Sequence, residues 1–316
     1  MSKNPFNKRV LIITGKGGVG KTTLAATLAL AARDIGKKVL LVEIGSTPNP
    51  GRLFGIQVPV YREVMIESGL WVMSLDPYLA LEEYLLSTIK IKTIVNFFME
   101  NQVIRYLTQA APGWRELITI GKVWQLERQT EGYKQRPRYD LLVVDAPATG
   151  HGISFLRVPQ VILNTLKFGP IKQQTLEVQK LLLDPMRTMM ICVCLPEEMP
   201  VNESLEIYNA AREILNISFG YFVVNMVTSP LAGDRTEKHL DEIAALFGPD
   251  AEGIKKAAKM CKARVELESP YIQRLAQTPG AGILTVPRIY KPFLDRDDVG
   301  YLTSILIDQF KQAGVI

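Results

Sequence analysis

The chain is poor in cysteine and has no long apolar run. Its three cysteines, Cys192, Cys194 and Cys261, form no C-x-x-C pair, which argues against a disulfide framework and a standard zinc site. The apolar runs are far shorter than the roughly 20 residues that a membrane span needs, and the N-terminus leads directly into a predicted strand with no room for a secretory signal. No basic tract typical of nucleic-acid-binding tails accompanies the net charge of +5. We therefore expect a cytoplasmic protein with no stable membrane insertion and no nucleic-acid partner.

The composition and the hydrophobic pattern are those of an α/β protein. With 47% hydrophobic and 22% charged residues, the chain can bury a large core. Short runs of Val, Ile and Leu alternate with longer helical patterns, which predicts a doubly wound, mostly parallel sheet. The first helix is predicted over Lys21–Ile35 and ends at Gly36. It is expected to bury one side, formed by Leu24, Leu28 and Ala32. The predicted strands are Val10–Thr14, Lys38–Ile44, Leu70–Leu75, Tyr139–Asp145, Thr188–Cys194, Tyr221–Asn225 and Gly282–Val286.

Two helical stretches interrupt this alternation, at about 78–130 and 235–277. We interpret them as insertions into a single domain that covers residues 1–316. The first contains the strongly apolar segment Leu79–Leu107, in which Phe97 and Phe98 are adjacent. The alternative, ordinary helices packed on the faces of the sheet, stays open at this point.

A glycine-rich loop follows the first predicted strand and leads into the first helix. The run Gly15-Lys16-Gly17-Gly18-Val19-Gly20-Lys21-Thr22 fits G-x-x-x-x-G-K-[ST], and strand–loop–helix is the context in which this motif binds phosphates. The glycines let backbone N–H groups turn toward the phosphates, and the helix N-terminus adds its positive dipole end. Lys21 would reach the β- and γ-phosphates, and Thr22 would ligate Mg²⁺. We predict a P-loop NTPase whose nucleotide contacts extend to Thr23.

Lys16 distinguishes this loop from an ordinary P-loop. The run K-G-G-V-G-K-T-T resembles the deviant loop of the MinD/ParA/arsenite-pump class of ATPases. In that class the lysine at this position reaches across a two-fold interface onto the phosphates bound by the partner. The resemblance therefore implies a homodimer and a catalytic role for Lys16 beside Lys21. The alternative is a solvated lysine in a loop.

The predicted strand Tyr139–Asp145 ends in an acid, as a strand that helps to hold Mg²⁺ at a phosphate site does. It continues as Ala146-Pro147-Ala148-Thr149-Gly150-His151, and D-A-P-A-T-G-H closely resembles the D-T-A-P-T-G-H signature of the arsenite-pump and tail-anchored-protein-targeting ATPases. The resemblance implies a switch loop that senses the γ-phosphate, with Asp145 in the Mg²⁺ shell. It also implies that His151 transmits the state of the switch; an ordinary structural histidine is the alternative.

Two later segments support the same family. Val223-Val224-Asn225 resembles a strand end at which the Asn amide contacts the adenine edge, and an amide offers both the donor and the acceptor that adenine requires. Pro287, Arg288 and Ile289 resemble a proline-bearing loop that packs on the base. The sequence has no N-K-x-D or T-K-x-D guanine motif. The expected cofactors are therefore ATP and Mg²⁺.

The chain departs from the family where its second predicted strand ends. Aligned without a gap, the aspartate that positions the attacking water in the family falls on Gly45. The nearest acid is Glu43, two residues earlier and on the same face of an extended strand. Glu43 either positions that water as a catalytic residue or belongs to the Mg²⁺ shell. We therefore expect an ATPase that binds ATP normally and hydrolyses it slowly.

The resemblance implies an ATP-dependent dimeric switch whose helical segments hold a hydrophobic protein client or a membrane-protein partner. The apolar segment Leu79–Leu107 could equally pack the two subunits together. One alternative is an ATPase subunit that energises an anion or arsenite exporter, which predicts thiols that face a cavity. Cys192 and Cys194 instead alternate along one predicted buried strand, where cysteines are usually inert. Another alternative is a regulatory switch that binds a surface through its C-terminal helix. That helix, predicted over about Asp298–Gln312, has a pattern that suits core packing better.

Overall fold

The backbone forms one large sheet and a small hairpin. The computed structural model describes residues 4–44, 50–89, 113–147, 152–165, 167–230, 242 and 251–316. Eight strands are ordered β10-β9-β8-β1-β7-β2-β4-β3, and all neighbours are parallel except β3 and β4. The strands are β1 Val10–Thr14, β2 Val39–Ile44, β3 Val64–Glu67, β4 Leu70–Leu75, the hairpin β5 Thr130–Glu131 and β6 Arg136–Pro137, β7 Leu141–Asp145, β8 Thr188–Cys194, β9 Phe219–Val227 and β10 Gly282–Pro287.

Helices connect the strands and cover both faces of the sheet. Within the described residues the α-helices are α1 Lys21–Asp34, α2 Pro77–Ile89, α3 Trp114–Glu127, α4 Gly152–Thr165, α5 Pro170–Leu183, α6 Glu198–Asn209, α7 Ala251–Ala276 and α8 Arg296–Gln312. A π-helical turn, Ala210–Ile214, continues α6. This arrangement confirms the predicted α/β fold with a mostly parallel sheet.

The core has two halves, one on each face of the sheet. Alternate residues of β1 contribute to different halves: Leu11 and Ile13 pack with α1 and α8, whereas Val10 and Ile12 pack with α3, α5 and α6. In a strand that is buried on both faces, every side chain lies in the core, so apolar residues are favoured at every position. This is why the central strands read as continuous apolar runs in the sequence.

Helix α1 is buried on more than one side. Every residue from Leu24 to Ala32 is buried, because α1 lies between the sheet and α8. The Thr303 hydroxyl of α8 donates to the Thr27 carbonyl oxygen at 3.3 Å, which joins the two helices. The prediction of a single buried side was therefore wrong. Small residues dominate this stretch and let both neighbours approach closely.

Strand β3 was not predicted from the sequence. It is a four-residue antiparallel strand at the sheet edge, and none of its residues is fully buried. Its last residue, Glu67, accepts hydrogen bonds from Arg296 of α8 and forms an ion pair with Arg33 of α1 at 2.6 Å. The edge strand is thus held by the ion pairs of Glu67 together with the partly buried Val64 and Ile66, which pack against the core.

The predicted helical stretches are described in part. Helices α2 and α3 fall within the first stretch, and one side of α3 joins the core through Ile120, Val123 and Leu126. Most of Leu79–Leu107, including Phe97 and Phe98, lies outside the described residues. Helix α7 accounts for most of the second stretch. Among the described residues, no helix combines the length and the apolarity required to cross a bilayer.

The C-terminal helix packs as its pattern predicts. Leu302, Leu306 and Phe310 of α8 are fully buried in the same half of the core as α1. The helix begins with a capping box in which the Asp295 side chain accepts from the backbone N–H of Asp298.

Candidate functional site

The predicted site residues meet at one edge of the sheet. Because β1, β2, β7, β8 and β9 run parallel, their carboxyl ends lie at the same edge. Asp145 at the end of β7 pairs in register with Ile13 of β1 on one side and with Glu43 of β2 on the other. The glycine-rich loop leaves β1 directly beside them.

Backbone geometry explains the glycines of the loop. Gly15, Gly18 and Gly20 all have positive φ, at +140°, +82° and +90°. A Cβ on Gly15 would overlap the carbonyl oxygen of Val193, and a Cβ on Gly20 would overlap the Asn225 side-chain nitrogen. Gly20 is also the N-cap of α1 and provides no side-chain cap. The first N–H groups of α1 are thus left for an anionic ligand, as in other phosphate-binding helix N-termini.

Lys21 is buried at the base of this loop. Its side chain is only 7% exposed, and its Nζ donates to the Lys16 carbonyl oxygen at 3.0 Å. Burial lowers the pKa of Lys21, and the nearby Asp145 carboxylate partly counteracts that shift. A buried ammonium group favours an anion in front of it. The arrangement therefore suits a bound phosphate.

Thr22 and Asp145 form a pair of oxygen donors. The Thr22 hydroxyl donates to Asp145 Oδ2 at 2.6 Å, whereas Asp145 Oδ1 is buried and has no hydrogen-bond partner among the described residues. Burial raises the pKa of Asp145 despite the hydrogen bond from Thr22. An orphaned carboxylate oxygen beside a hydroxyl oxygen is the type of donor set that Mg²⁺ prefers. The residues present therefore fit the metal ion that the sequence predicts.

Glu43 faces the same carboxylate from β2. It is 4% exposed, and burial together with the neighbouring Asp145 raises its pKa to about 8. Gly45, the other residue in the sequence argument about hydrolysis, lies outside the described residues. The structure therefore places Glu43 next to the predicted metal site.

A cavity lies beside the loop, on the side of β9 and β10. Its volume is about 570 Å³. Five of the predicted contact residues line it: Thr23, Asn225, Pro287, Arg288 and Ile289. The Asn225 amide N–H donates to the Val19 carbonyl oxygen at 2.9 Å and so ties this cavity to the phosphate loop.

Lys16 has a partner within its own chain. Its ammonium group lies 3.3 Å from Glu203 Oε2 of α6, and its side chain is 39% exposed. Glu203 was not predicted as a site residue, because no local motif marks it and its pairing with Lys16 depends on α6 packing beside the loop. Lys16 is thus accessible, but it is not a free solvated lysine.

The cysteines are described in the structure, but most of the switch run is not. Ala148–His151 lie outside the described residues. Cys192 and Cys194 are buried on the same side of β8, and burial raises the pKa of Cys192 to about 12. The partly exposed Cys261 donates to the Ser229 carbonyl oxygen at 3.4 Å. In the part of the chain that the structure describes, no three His, Cys, Asp or Glu side chains are grouped so as to hold a metal ion.

The parallel sheet, the glycine-rich loop and the Thr22–Asp145 pair define a P-loop nucleotide-binding protein. Residues 8–182 match the family model described as anion-transporting ATPase, ArsA_ATPase. The chain belongs to this family. This membership confirms the family predicted from the loop and from the D-A-P-A-T-G-H run.

Three relatives illustrate the similarity. ATPase BagA of Mycobacterium tuberculosis (strain ATCC 25618 / H37Rv) is 34% identical over 222 residues, which are 69% of this chain and 64% of BagA. The arsenical pump-driving ATPase of Acidiphilium multivorum is 26% identical over 69% of this chain and 39% of that protein. ATPase GET3 of Lachancea thermotolerans is 23% identical over 87% of this chain and 82% of that protein. The match thus spans 64% of the length of the mycobacterial relative.

Proposed function

We propose that the protein is a cytoplasmic, dimeric switch that binds ATP, hydrolyses it slowly, and couples its nucleotide state to helices that hold a hydrophobic protein client or partner. The observation that carries this proposal is the Thr22–Asp145 pair, with its orphaned carboxylate oxygen, beside the buried Lys21. A buried cation and an unsatisfied carboxylate at one helix N-terminus suit a phosphate chain with its metal ion.

The phosphate loop and the cavity beside it can together accept one nucleotide. Thr23 lies in the first turn of α1, next to the residues of the phosphate loop, and it also lines the 570 Å³ cavity. Phosphates over the helix N-terminus would therefore leave the base beside Asn225 and Pro287. The sequence has no guanine motif, and we propose ATP as the ligand.

Thr22 and Asp145 would hold Mg²⁺, which would supply neutralising charge to the phosphates when bound. In the protein alone, the Thr22 hydroxyl occupies one carboxylate oxygen of Asp145. The Thr22 hydroxyl oxygen and the unpartnered Asp145 Oδ1 would be the atoms that hold the ion. Glu43 pairs in register with Asp145 and interacts with it electrostatically, and we propose it as a further member of the same shell.

Hydrolysis is proposed to be slow because Gly45 stands where the family has its water-positioning aspartate. A group that holds the attacking water in line can contribute ~10²–10⁴-fold in rate. Restoring the acid with Gly45→Asp should therefore raise the single-turnover rate if the backbone accepts a side chain there. Unchanged hydrolysis with an unchanged affinity for ATP would argue that the acid comes from elsewhere.

Lys16 is proposed to act across a homodimer interface. Its partly exposed ammonium group can exchange Glu203 for a more highly charged partner, since an exposed pair of this kind contributes only about 0–1 kcal/mol. Phosphates bound by a second copy of the chain would be such a partner. The family resemblance supports this geometry.

A cavity among the helices suits an apolar client. About 330 Å³ of space lies between α2, α3 and α5. Glu83 and Lys122, joined by hydrogen bonds of 2.7 and 2.9 Å, form its polar side. The rest of the lining is largely apolar and includes Leu81, Leu85, Leu117, Ile118, Trp124 and Ile171.

The exporter alternative has less support from the described residues. A metalloid site needs accessible thiolates. Cys192 and Cys194 are buried, and desolvation raises the pKa of both thiols, which disfavours the thiolate form. The surface-binding alternative is also less favoured, because the apolar side of α8 is used in the core.

A peptide-capture experiment tests the client part of the proposal. Ile171 lines the cavity and is 43% exposed, whereas Leu183 of the same helix is 38% exposed and does not line it. Ile171→Asp should abolish capture of an apolar helical peptide by the ATP-loaded protein, and Leu183→Asp should leave it intact. Equal capture by both variants would remove this cavity as the client site.

A further inference from the structure

Strand β9 ends in an irregular segment, Met226–Thr228, which consists of its last two residues and the residue after them and is called the turn below. Met226 is not a glycine, yet its φ is +56°, and the pairing of β9 with β10 shifts register at this point. A left-handed conformation costs a residue with a side chain roughly 1–2 kcal/mol. Such a conformation persists when the surrounding structure holds it. Contacts from neighbouring elements must therefore stabilise the left-handed conformation of Met226.

Glu268 of α7 holds the turn. The buried Glu268 carboxylate accepts from the Thr228 backbone N–H at 2.7 Å and from the Thr228 hydroxyl at 2.8 Å. Arg264, one helical turn earlier, donates to the same carboxylate at 3.0 Å. Glu268 thereby satisfies both donors of the buried Thr228. Removing the carboxylate would leave a buried backbone N–H without its acceptor.

The same turn forms one wall of the 570 Å³ cavity. Asn225 and Met226 line that cavity, and Asn225 also reaches the phosphate loop through the Val19 carbonyl oxygen. The Val227 carbonyl oxygen accepts from the Arg288 backbone N–H at 2.9 Å, which joins the turn to the neighbouring lining segment Pro287–Ile289. The position of the turn therefore affects both segments that line the cavity on the side of β9 and β10.

We propose that Glu268 is a positioning residue of the nucleotide site: it fixes the Met226–Thr228 turn from α7, and so controls how tightly the base-side cavity holds its ligand. The inference rests on the proposed binding of ATP. Through these hydrogen bonds, α7 would respond to a ligand in the base cavity, because a movement of the turn would displace the bonds between Thr228 and Glu268. Glu268 bonds to Thr228 and Arg264, and Asn225 joins the loop at Val19 rather than at Lys21 or Thr22, so a change at Glu268 is expected to affect the phosphate subsite much less than the base cavity.

Two ligands and matched variants test this role. Calorimetric titrations would compare Mg-ATP with Mg-tripolyphosphate, which has the phosphates but no base. Glu268→Leu, similar in volume but without an acceptor, should weaken ATP binding about tenfold and leave tripolyphosphate binding within about twofold. Glu268→Gln keeps an acceptor for the Thr228 N–H and should lose less than about threefold. Glu266→Gln, an exposed change on the same helix, is the control.

The outcomes separate this inference from the function on which it rests. Equal loss for both ligands, or no loss for either, in Glu268→Leu would overturn the positioning role. A wild-type protein that binds neither ligand would overturn the proposed function and the inference with it. Amide hydrogen exchange of the wild type covers the case in which Glu268→Leu does not fold. Mg-ATP should slow exchange in the α7 residues around Glu268, and Mg-tripolyphosphate should not; identical effects of the two ligands would overturn the inference.

Discussion

Alanine substitutions at two glycines of the phosphate loop test whether the Asn225 side chain packs against that loop. Gly18 and Gly20 have similar φ values of +82° and +90°. A Cβ on Gly18 meets nothing within 4 Å, whereas a Cβ on Gly20 would overlap the Asn225 side-chain nitrogen. Alanine at either position incurs the same backbone strain, roughly 1–2 kcal/mol. Only the substitution at Gly20 also displaces the Asn225 amide.

The expected difference follows from the hydrogen bond that would be lost. Displacing Asn225 breaks its hydrogen bond to the Val19 carbonyl oxygen, and a buried polar group left unpaired costs about 1–3 kcal/mol. Gly18→Ala should therefore lower the free energy of unfolding by about 1–2 kcal/mol, and Gly20→Ala by about 2–5 kcal/mol. Urea titration followed by circular dichroism measures both.

A double-mutant cycle identifies the cause. In an Asn225→Ala background the obstacle is gone, so Gly20→Ala should cost only the backbone strain, about 1–2 kcal/mol. The coupling energy between the two sites should accordingly be about 1–3 kcal/mol. Equal losses for Gly18→Ala and Gly20→Ala, or a coupling energy near zero, would refute the argument that Asn225 packs against the loop.

Three further predictions concern charged groups. Lys16→Ala should weaken association driven by a non-hydrolysable ATP analogue, whereas Glu203→Gln should not; sedimentation that is the same for wild type and Lys16→Ala would contradict the dimer. Glu43→Gln should lower the single-turnover rate if Glu43 positions the attacking water, or weaken the Mg²⁺ dependence of that rate if Glu43 belongs to the Mg²⁺ shell. A rate that is unchanged in both respects would mean that the catalytic acid lies elsewhere. The hydrogen bond from Arg296 holds the pKa of Glu67 below its usual range. Glu67→Gln should therefore cost about 1 kcal/mol in urea titrations near neutral pH, a difference that disappears as the pH falls through this lowered pKa; equal stability near neutral pH would contradict the ion pair.

Much of the sheet was predictable, since its central strands are buried on both faces. The strands Val10–Thr14, Leu70–Leu75 and Thr188–Cys194 were predicted to the residue, because their apolar runs end where the chain leaves the core. Strand β3 was missed because it has only four residues, is half-exposed, and depends in part on the ion pairs of Glu67 with Arg33 and Arg296. Such pairing depends on distant parts of the chain and leaves no local pattern.

The candidate site likewise contains residues that a local motif predicts and residues that only the tertiary structure reveals. The loop and Asp145 were predicted because each is marked by a local motif at a strand end. Glu203 and Glu268 were not, since each lies on a helix whose position is set by tertiary packing. The sequence shows an acid at each position, but it does not show that one faces Lys16 and the other the turn at the end of β9.

Calorimetric titration of the wild type and Lys21→Ala with Mg-ATP tests the central claim most directly. The buried Lys21 is the cation nearest to the predicted phosphates, and charge-assisted hydrogen bonds are the stronger ones. The wild type should bind one ATP per chain, and Lys21→Ala should weaken binding at least about tenfold, which corresponds to about 1.4 kcal/mol. An affinity that Lys21→Ala leaves unchanged would contradict the assignment of this loop as the nucleotide site.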